Sequence, residues 1–202
     1  MKNIIGLVGT NSTHSTNRQL LQYMAQHFSE DAVIELMEID HLPLFNKPEN
    51  YTVLPEVQAM ADKIEKADGV VIATPEYDHS PTAALNNAIA WLSYGVYPFV
   101  NKPVMVVGAS YGTLGSSRAQ LQLLQMLESP EIQARTMPSS EYLLGHSLEA
   151  FDQEGNLIYA DKAEELDGIF SDFLIFIELI NQLPHSKDAM VKAAKNFNWE
   201  NI

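Results

Sequence analysis

The chain has 202 residues, 46% of them hydrophobic and 19% charged, a size and composition suited to one globular domain. Its formal net charge of −14 excludes nucleic acid and anionic membranes as partners, because no Lys/Arg cluster offsets the 26 acidic residues. The absence of cysteine excludes disulfides and thiolate sites, and the six scattered histidines predict no metal site. The sequence shows no signal pattern and no apolar run long enough to span a membrane, so we expect a cytoplasmic protein.

Five apolar runs alternate with segments of helical periodicity. In chain order, the predicted elements are a strand at Asn3–Val8, a helix at Asn17–Phe28, a strand at Ala32–Ile39, a loop at Pro43–Asn50, a helix at Pro55–Lys66, a strand at Gly69–Ala73, a helix at Ala83–Ser93, a strand at Pro103–Val107, a helix at Ser116–Leu127, a strand at Glu141–Leu144 and a helix at Lys162–Leu183. This alternation predicts an α/β protein with a five-stranded parallel sheet, order 2-1-3-4-5, and helices on both faces, which is a flavodoxin-like fold. We expect residues 1–183 to form this domain and residues 184–202 to form a helical tail.

The segment after the first strand, Gly9–Asn17, is unusually rich in small polar side chains. It contains five hydroxyl residues and two asparagines: Thr10, Asn11, Ser12, Thr13, Ser15, Thr16 and Asn17. A helix N-cap requires one such residue, whereas hydroxyls, turn N–H groups and a helix N-terminus together form an anion site. The segment therefore predicts phosphate binding, although it matches neither a Walker loop nor the GxGxxG fingerprint.

A second polar loop, Thr74–Ser80, follows the central apolar strand and precedes a helical pattern. It places a proline, a carboxylate and an aromatic ring where an open α/β sheet binds its ligand, outside the carboxyl ends of its strands. The composition indicates a binding loop rather than a simple connection.

A third motif, Gly108–Gly112, satisfies G-x-S-x-G between a strand and a helix, which is the setting of a hydrolase nucleophile elbow. Ser110 with Asp161 or Asp172 and His185 would keep the order of a serine esterase. Only three predicted strands precede the one that leads into the motif, however, and no HGGG-type oxyanion segment is visible. Esterase activity is therefore a minor alternative.

Together the three motifs resemble the NADPH-dependent FMN reductase family over about residues 3–180. That family carries a Gly-Ser-x-Arg-x-x-Ser-x-Asn phosphate loop, a Thr-Pro-Glu-Tyr-Asn-x-Ser loop before a Leu-Lys-Asn-Ala helix, and a Gly-Ala-Ser-x-Gly loop. The corresponding segments here are Gly9–Asn17, Thr74–Ser80 followed by Leu85–Ala88, and Gly108–Gly112. The middle motif is the most specific of the three.

The resemblance implies an FMN-binding domain in which the first loop holds the phosphate and the other two hold the isoalloxazine ring. The implied cofactor-binding residues are Thr10, Ser12, Ser15, Thr16, Asn17, Pro75, Glu76, Tyr77, Asp78, Ser110, Tyr111 and Gly112. It also implies a homodimer or a dimer of dimers, with the apolar segment Trp91–Phe99 as the candidate subunit contact.

Three positions depart from the family pattern. Ser12 occupies the place of the phosphate-contacting arginine, so FMN loses one charge-assisted bond unless Arg18 replaces it. Asp78 replaces an asparagine, and its charge near the ring should lower the reduction potential of the flavin. The segment Ser80–Ala83 shifts the usual proline by one position and lacks a glycine, which changes the geometry of the loop.

We therefore predict an FMN-dependent NAD(P)H oxidoreductase that passes hydride to the flavin and electrons on to a free flavin, a quinone or an azo compound. The cofactor carries this chemistry, so no acid–base pair is required and no catalytic residue is assigned. The principal alternative is a non-enzymatic FMN electron carrier, whose acidic surface would suit basic redox partners.

Overall fold

A parallel β-sheet forms the centre of the protein, whose computed structural model describes residues 1–138, 141–183 and 187–196. The strands are β1 (Lys2–Val8), β2 (Ala32–Met37), β3 (Gly69–Ala73), β4 (Pro103–Ala109), β5 (Arg135–Thr136) and β6 (Tyr142–Leu144). Their order is β2-β1-β3-β4-β5, with β6 also paired to β4. The predicted flavodoxin-like order is confirmed.

The last position in the sheet is shared by two short strands. Arg135 of β5 pairs with Pro103 at the start of β4, and Tyr142 of β6 pairs with Val107 near its end, both in parallel register. The sequence predicts a strand only at Glu141–Leu144. A two-residue strand such as β5 contains too few residues to show an alternating pattern, and the sequence therefore did not reveal it.

Helices cover both faces of the sheet, as predicted. They are α1 (Thr16–His27), α2 (Pro55–Lys66), α3 (Ala83–Leu92), α4 (Ser117–Leu127), α5 (Ala160–Asn181) and α6 (Lys187–Asn196). Val70 and Ile72 of β3 contribute to the core shared with α2, α3 and α4, while Val71 and Ala73 contribute to the core shared with α1 and α5. None of the helices described here is both long and apolar enough to span a bilayer.

The apolar segment Trp91–Phe99 belongs to the core of its own chain, so the expectation that it forms a subunit contact is wrong. The side chain of Trp91 is 2% exposed and donates a hydrogen bond from Nε1 to the Pro43 carbonyl over 2.8 Å. The Tyr94 hydroxyl likewise donates to the Pro48 carbonyl at 2.6 Å. The loop after β2 thus covers this segment, which leaves little of it for a partner.

Two further contacts lie away from the carboxyl edge of the sheet. Met190 and Val191 of α6 pack against Tyr97 and Val100, so part of the predicted helical tail rests on the domain. The buried ammonium of Lys102, just before β4, donates to the Glu65 and Ala67 carbonyls at the end of α2. Residues 184–186 and 197–202 of the tail lie outside the described residues.

Candidate active site

Three loops meet at the carboxyl edge of the sheet: loop 1 (Gly9–Ser15) after β1, loop 2 (Thr74–Thr82) after β3, and loop 3 (Ser110–Ser116) after β4. Because β2 lies on one side of β1 and β3 on the other, the chain changes direction across the sheet between loops 1 and 2. An open α/β sheet binds its ligand in the crevice at such a switch point.

Gly9 joins loop 1 to the end of β3 and to loop 2. The Gly9 N–H donates to the Ala73 carbonyl over 2.8 Å, and the Thr82 hydroxyl donates to the Gly9 carbonyl at the same distance. A Cβ atom on Gly9 would lie 2.5 Å from the Ala73 oxygen, closer than any side chain tolerates. Glycine at this position therefore permits the close approach that forms the crevice.

Loop 1 leads directly into α1 and presents donors at the helix N-terminus. The Ser15 hydroxyl caps the helix by accepting the Arg18 N–H at 3.2 Å, and the buried Thr10 hydroxyl accepts the Ser12 N–H at 3.2 Å. The N–H groups of Thr16 and Asn17, in the first turn, have no acceptor within the helix. These donors and the positive end of the helix dipole suit a phosphate.

Arg18 fixes the shape of loop 1 instead of supplying a free charge to it. Its guanidinium donates from Nε and Nη2 to the two oxygens of Glu38 at 2.6 and 2.8 Å, and from Nη1 to the Ser12 carbonyl at 2.7 Å. The hydrogen bond to Glu38 raises the pKa of Arg18. Because Glu38 neutralises the guanidinium, a phosphate on loop 1 depends mainly on N–H groups and hydroxyls.

The side chains of Thr16 and Asn17 connect loop 1 to its neighbours. The Asn17 amide donates to the Ala109 carbonyl at 2.8 Å and accepts the Ala109 N–H at 2.9 Å, while the Thr16 hydroxyl lies 2.8 Å from that of Ser147. Both residues are buried. Their side chains hold the start of α1 against the end of β4 and the turn after β6. Only their backbone N–H groups are therefore left for the predicted contact with the cofactor.

The tip of loop 2 is a two-residue hairpin turn. Tyr77 and Ser80 exchange backbone hydrogen bonds of 3.1 and 3.0 Å, and the intervening Asp78 and His79 have φ angles of 50° and 64°. Two consecutive left-handed residues define a type I′ turn. Aspartate, like the asparagine it replaces, tolerates this backbone better than most residues, which gives Asp78 a conformational role.

The Glu76 side chain caps α4. Its Oε2 accepts the N–H groups of Arg118 and Ala119 at 3.0 and 3.3 Å, and its Oε1 accepts Arg118 Nη1 at 3.3 Å and lies 3.2 Å from His79 Nδ1. Ser116, which precedes α4, has a φ of 69° and makes no side-chain cap. The cap of α4 therefore comes from loop 2.

Glu76→Gln should lower stability at neutral pH but not at acid pH. Burial alone would raise the pKa of the Glu76 carboxyl, but hydrogen bonds from His79 and the start of α4 outweigh it and lower the pKa below 4.5. A carboxyl whose pKa is lowered by folding stabilises the native state above its unfolded pKa, and this stabilisation disappears as the pH falls through the folded value. We expect the variant to lose about 1 kcal/mol at neutral pH and to equal the wild type only when the pH has fallen below the lowered pKa of the folded Glu76 carboxyl.

Urea unfolding of the two proteins at neutral and acid pH measures this difference. A difference that stays constant with pH would show that the Glu76 charge contributes nothing to the cap.

Loop 3 does not present Ser110 as a nucleophile. The Ser110 hydroxyl donates to the Gly112 carbonyl at 3.1 Å, and no histidine among the described residues accepts from it. Asp161 and Asp172 lie on α5, and His185 lies outside the described residues. Gly112 faces open space, and the neighbouring Tyr111 is 59% exposed, which leaves this part of the crevice accessible.

Several residues that build the site were missed at the level of sequence. Thr82 joins loops 1 and 2, Ser147 anchors Thr16, and Gln122 of α4 holds loop 2 by accepting from the Ser80 hydroxyl at 2.8 Å. Thr82 carries an N-cap signal that could have been recognised, since it precedes a helix and accepts the N–H three residues on. Ser147 and Gln122 lie on irregular or solvent-facing positions and show no such pattern.

The fold and this site define a flavodoxin-like protein with a donor-rich polar loop after β1 and exposed tyrosines on the loops after β3 and β4. A sequence profile of the NADPH-dependent FMN reductase family matches residues 2–149. The chain belongs to this family, and the predicted class, cofactor and electron donor are confirmed: it is an oxidoreductase that uses FMN and NAD(P)H.

Two proteins of similar sequence are NADH-dependent reductase subunits. The chain is 50% identical over 198 residues to the NADH:(hydroxy)cinnamate reductase subunit CrdA of Vibrio ruber, covering 98% of each chain. It is 38% identical over 183 residues to the NADH-dependent flavin reductase subunit 2 of Lactobacillus johnsonii, covering 87% of this chain and 97% of that one.

A solved structure shows the same architecture. The flavoenzyme NAD(P)H:(acceptor) oxidoreductase FerB from Paracoccus denitrificans superposes with a TM-score of 0.78 at 28% sequence identity. The match covers 88% of this chain and 98% of that one.

The polar groups of the crevice suit FMN. The close approach at Gly9 places the hydroxyl-rich loop 1 beside loop 2, so a phosphate and a planar ring can be held by adjoining loops. Tyr77 and Tyr111, both more than half exposed, lie on the two loops predicted to hold the ring. No cysteine or metal cluster competes with this interpretation among the described residues.

Proposed function

We propose that FMN lies across the three loops, with its phosphate on loop 1 and its ring between loops 2 and 3. The single observation that carries this assignment is the close approach of loops 1 and 2 at the switch point, where the Thr82 hydroxyl donates to the Gly9 carbonyl over 2.8 Å. Thr10, Ser12, Ser15 and the first N–H groups of α1 would contact the phosphate. Backbone groups of Pro75–Asp78, with Ser110, Tyr111 and Gly112, would contact the ring.

When bound, FMN supplies the redox chemistry by taking hydride from NAD(P)H and releasing electrons to an acceptor. The protein binds, orients and exposes one side of the ring. Tyr77 and Tyr111, 53% and 59% exposed, border the opening and favour a small planar acceptor. Relatives named as reductases of hydroxycinnamate in Vibrio ruber and of 2-hydroxy-1,4-benzoquinone in a Burkholderia species support a conjugated carbonyl compound.

We also propose that the protein acts in the cytoplasm as a homodimer, or a dimer of dimers, closed over the crevice. Tyr77, Tyr111, Leu114 and Leu148 lie at or next to the carboxyl edge and are at least half exposed, so they offer apolar surface for a partner. The Vibrio ruber and Lactobacillus johnsonii relatives are both named as subunits, which supports an assembly. Light scattering of the purified protein would give its mass in solution.

One experiment tests the proposed function against its alternatives. The protein is loaded with FMN, its visible spectrum is recorded, and NADH or NADPH is added without oxygen. The reductase assignment predicts bleaching of the flavin and its return on addition of a quinone. A carrier would give two resolved one-electron steps with a chemical reductant and no turnover of NAD(P)H, and an esterase would hydrolyse activated esters and lose this activity in Ser110→Ala.

Asp78→Asn is expected to raise the reduction potential of the bound flavin. The Asp78 carboxylate lies at the exposed tip of loop 2, where its negative charge disfavours added electrons on the nearby ring. An exposed charge contributes at most about 1 kcal/mol, which corresponds to roughly 20 mV for a two-electron couple. A redox titration of both proteins at low ionic strength measures the shift, and a potential that stays the same or falls would refute the effect.

A further inference from the structure

Loop 2 is held by α4 at two points on opposite sides of its hairpin. Before the hairpin, the Glu76 carboxylate accepts the N–H groups of Arg118 and Ala119. After it, the Gln122 amide accepts from the Ser80 hydroxyl at 2.8 Å and donates to the His79 carbonyl at 3.2 Å. The hairpin tip is therefore fixed relative to one helix rather than to its own strand.

The contact of Glu76 with α4 is a specific feature of the fold. Its side chain is only 12% exposed, although it carries a charge. Its hydrogen bonds satisfy the N-terminus of α4, for which Ser116 supplies no side-chain cap. Removing the Glu76 side chain would leave these N–H groups without the acceptor they have and would remove one of the two attachments of loop 2 to α4.

This attachment determines which backbone groups of loop 2 face the crevice. Because the Glu76 side chain is bonded to the N-terminus of α4, it fixes the orientation of the hairpin that follows it in the chain. The hairpin pairing uses the N–H groups of Tyr77 and Ser80 and leaves those of Asp78 and His79 outside it. Small rotations of the loop would displace these donors by an ångström or more from any ring they contact.

We propose that Glu76 is a positioning residue for the flavin ring, acting through the N-terminus of α4 while its carboxylate stays outside the ring's contacts. The inference rests on the proposed placement of FMN, in which the ring lies against loop 2 and the phosphate against loop 1. A residue that orders loop 2 affects the ring end alone. Its removal therefore weakens FMN and riboflavin, which lacks the phosphate, by the same factor.

The test measures the dissociation constants of FMN and riboflavin by quenching of flavin fluorescence. Glu76→Ala, which removes the acceptor altogether, is expected to raise both constants about 10-fold. Gln122→Ala, which changes an exposed side chain and leaves the cap intact, is expected to raise both about 3-fold. Ser15→Ala, in loop 1, is expected to raise the constant for FMN and to leave riboflavin unchanged.

Lys102→Met is the control for general destabilisation, because it removes buried hydrogen bonds to the end of α2 at the amino edge of the sheet, away from the three loops. It is expected to lower the unfolding midpoint without changing either dissociation constant. Equal flavin affinities in Glu76→Ala and wild type, or a loss that Lys102→Met reproduces, would overturn the inference. Failure of the wild type to bind either flavin would instead refute the proposed function and the inference with it.

Discussion

Asn17→Asp is expected to lower the free energy of unfolding by about 3 kcal/mol, one of the two largest effects of a single substitution in this site. The Asn17 amide both donates to and accepts from the backbone of Ala109, at 2.8 and 2.9 Å, and the residue is 2% exposed. In the variant, a buried carboxylate oxygen would face the Ala109 carbonyl oxygen at hydrogen-bond distance. The two acceptors repel each other, and no cationic side chain among the described residues bonds to the Asn17 side chain to offset the new charge.

Urea unfolding measures this loss, and Asn11→Asp is the matched control because it introduces the same charge at an exposed position of loop 1. The control should lie within about 0.5 kcal/mol of wild type. Because the protonated aspartic acid can donate to the Ala109 carbonyl, Asn17→Asp should recover part of its stability at acid pH. Equal stability of the two variants at neutral pH would show that the Asn17 pairing contributes little.

Gly9→Ala is expected to reduce both stability and flavin affinity. Its Cβ would lie 2.5 Å from the Ala73 oxygen and 3.2 Å from the Thr74 Cα atom, both of them backbone atoms that cannot rotate away. Loops 1 and 2 must therefore separate. Overpacking of this kind costs about 3 kcal/mol, and a displacement of an ångström between the two ends of the site should weaken FMN about 100-fold.

Gly168→Ala provides the comparison, because the corresponding Cβ in α5 meets no atom within 4 Å. This control should be more stable than wild type by up to about 1 kcal/mol, since alanine favours helix over glycine. Thermal unfolding and FMN titration of both variants separate a local clash from a general effect of adding a methyl group. Wild-type FMN affinity in Gly9→Ala would show that the two loops need not touch.

The regular part of the fold was predictable because its signal is local. Each long strand is an apolar run, and each helix on the sheet repeats its apolar side chains at helical spacing, so the order of elements follows from the sequence. The chemistry of Asn17 was not predictable in the same way. The polar composition of the segment around Asn17 indicated a phosphate contact. The Asn17 amide is instead paired with Ala109, which lies 92 positions away in the chain.

Loop 2 and the segment Trp91–Phe99 show two other limits. The hairpin turn at Asp78 and His79 lacks the Asn-Gly or Asp-Gly pair that announces a type I′ turn, so sequence rules passed over it. The segment Trp91–Phe99 is apolar whether it faces a partner or its own core. Only the loop after β2, folded back to accept hydrogen bonds from Trp91 and Tyr94, decides between the two.

The division of the last strand position into β5 and β6 also bears on how the protein avoids self-association through its sheet. An exposed sheet edge offers unpaired backbone groups to any extended chain, and long, flat edges are sites of aggregation and domain swapping. Here the pieces are two and three residues long. A passing strand would find no continuous row of donors and acceptors along either one, so this side of the sheet resists fibril-like addition without the need for a covering helix.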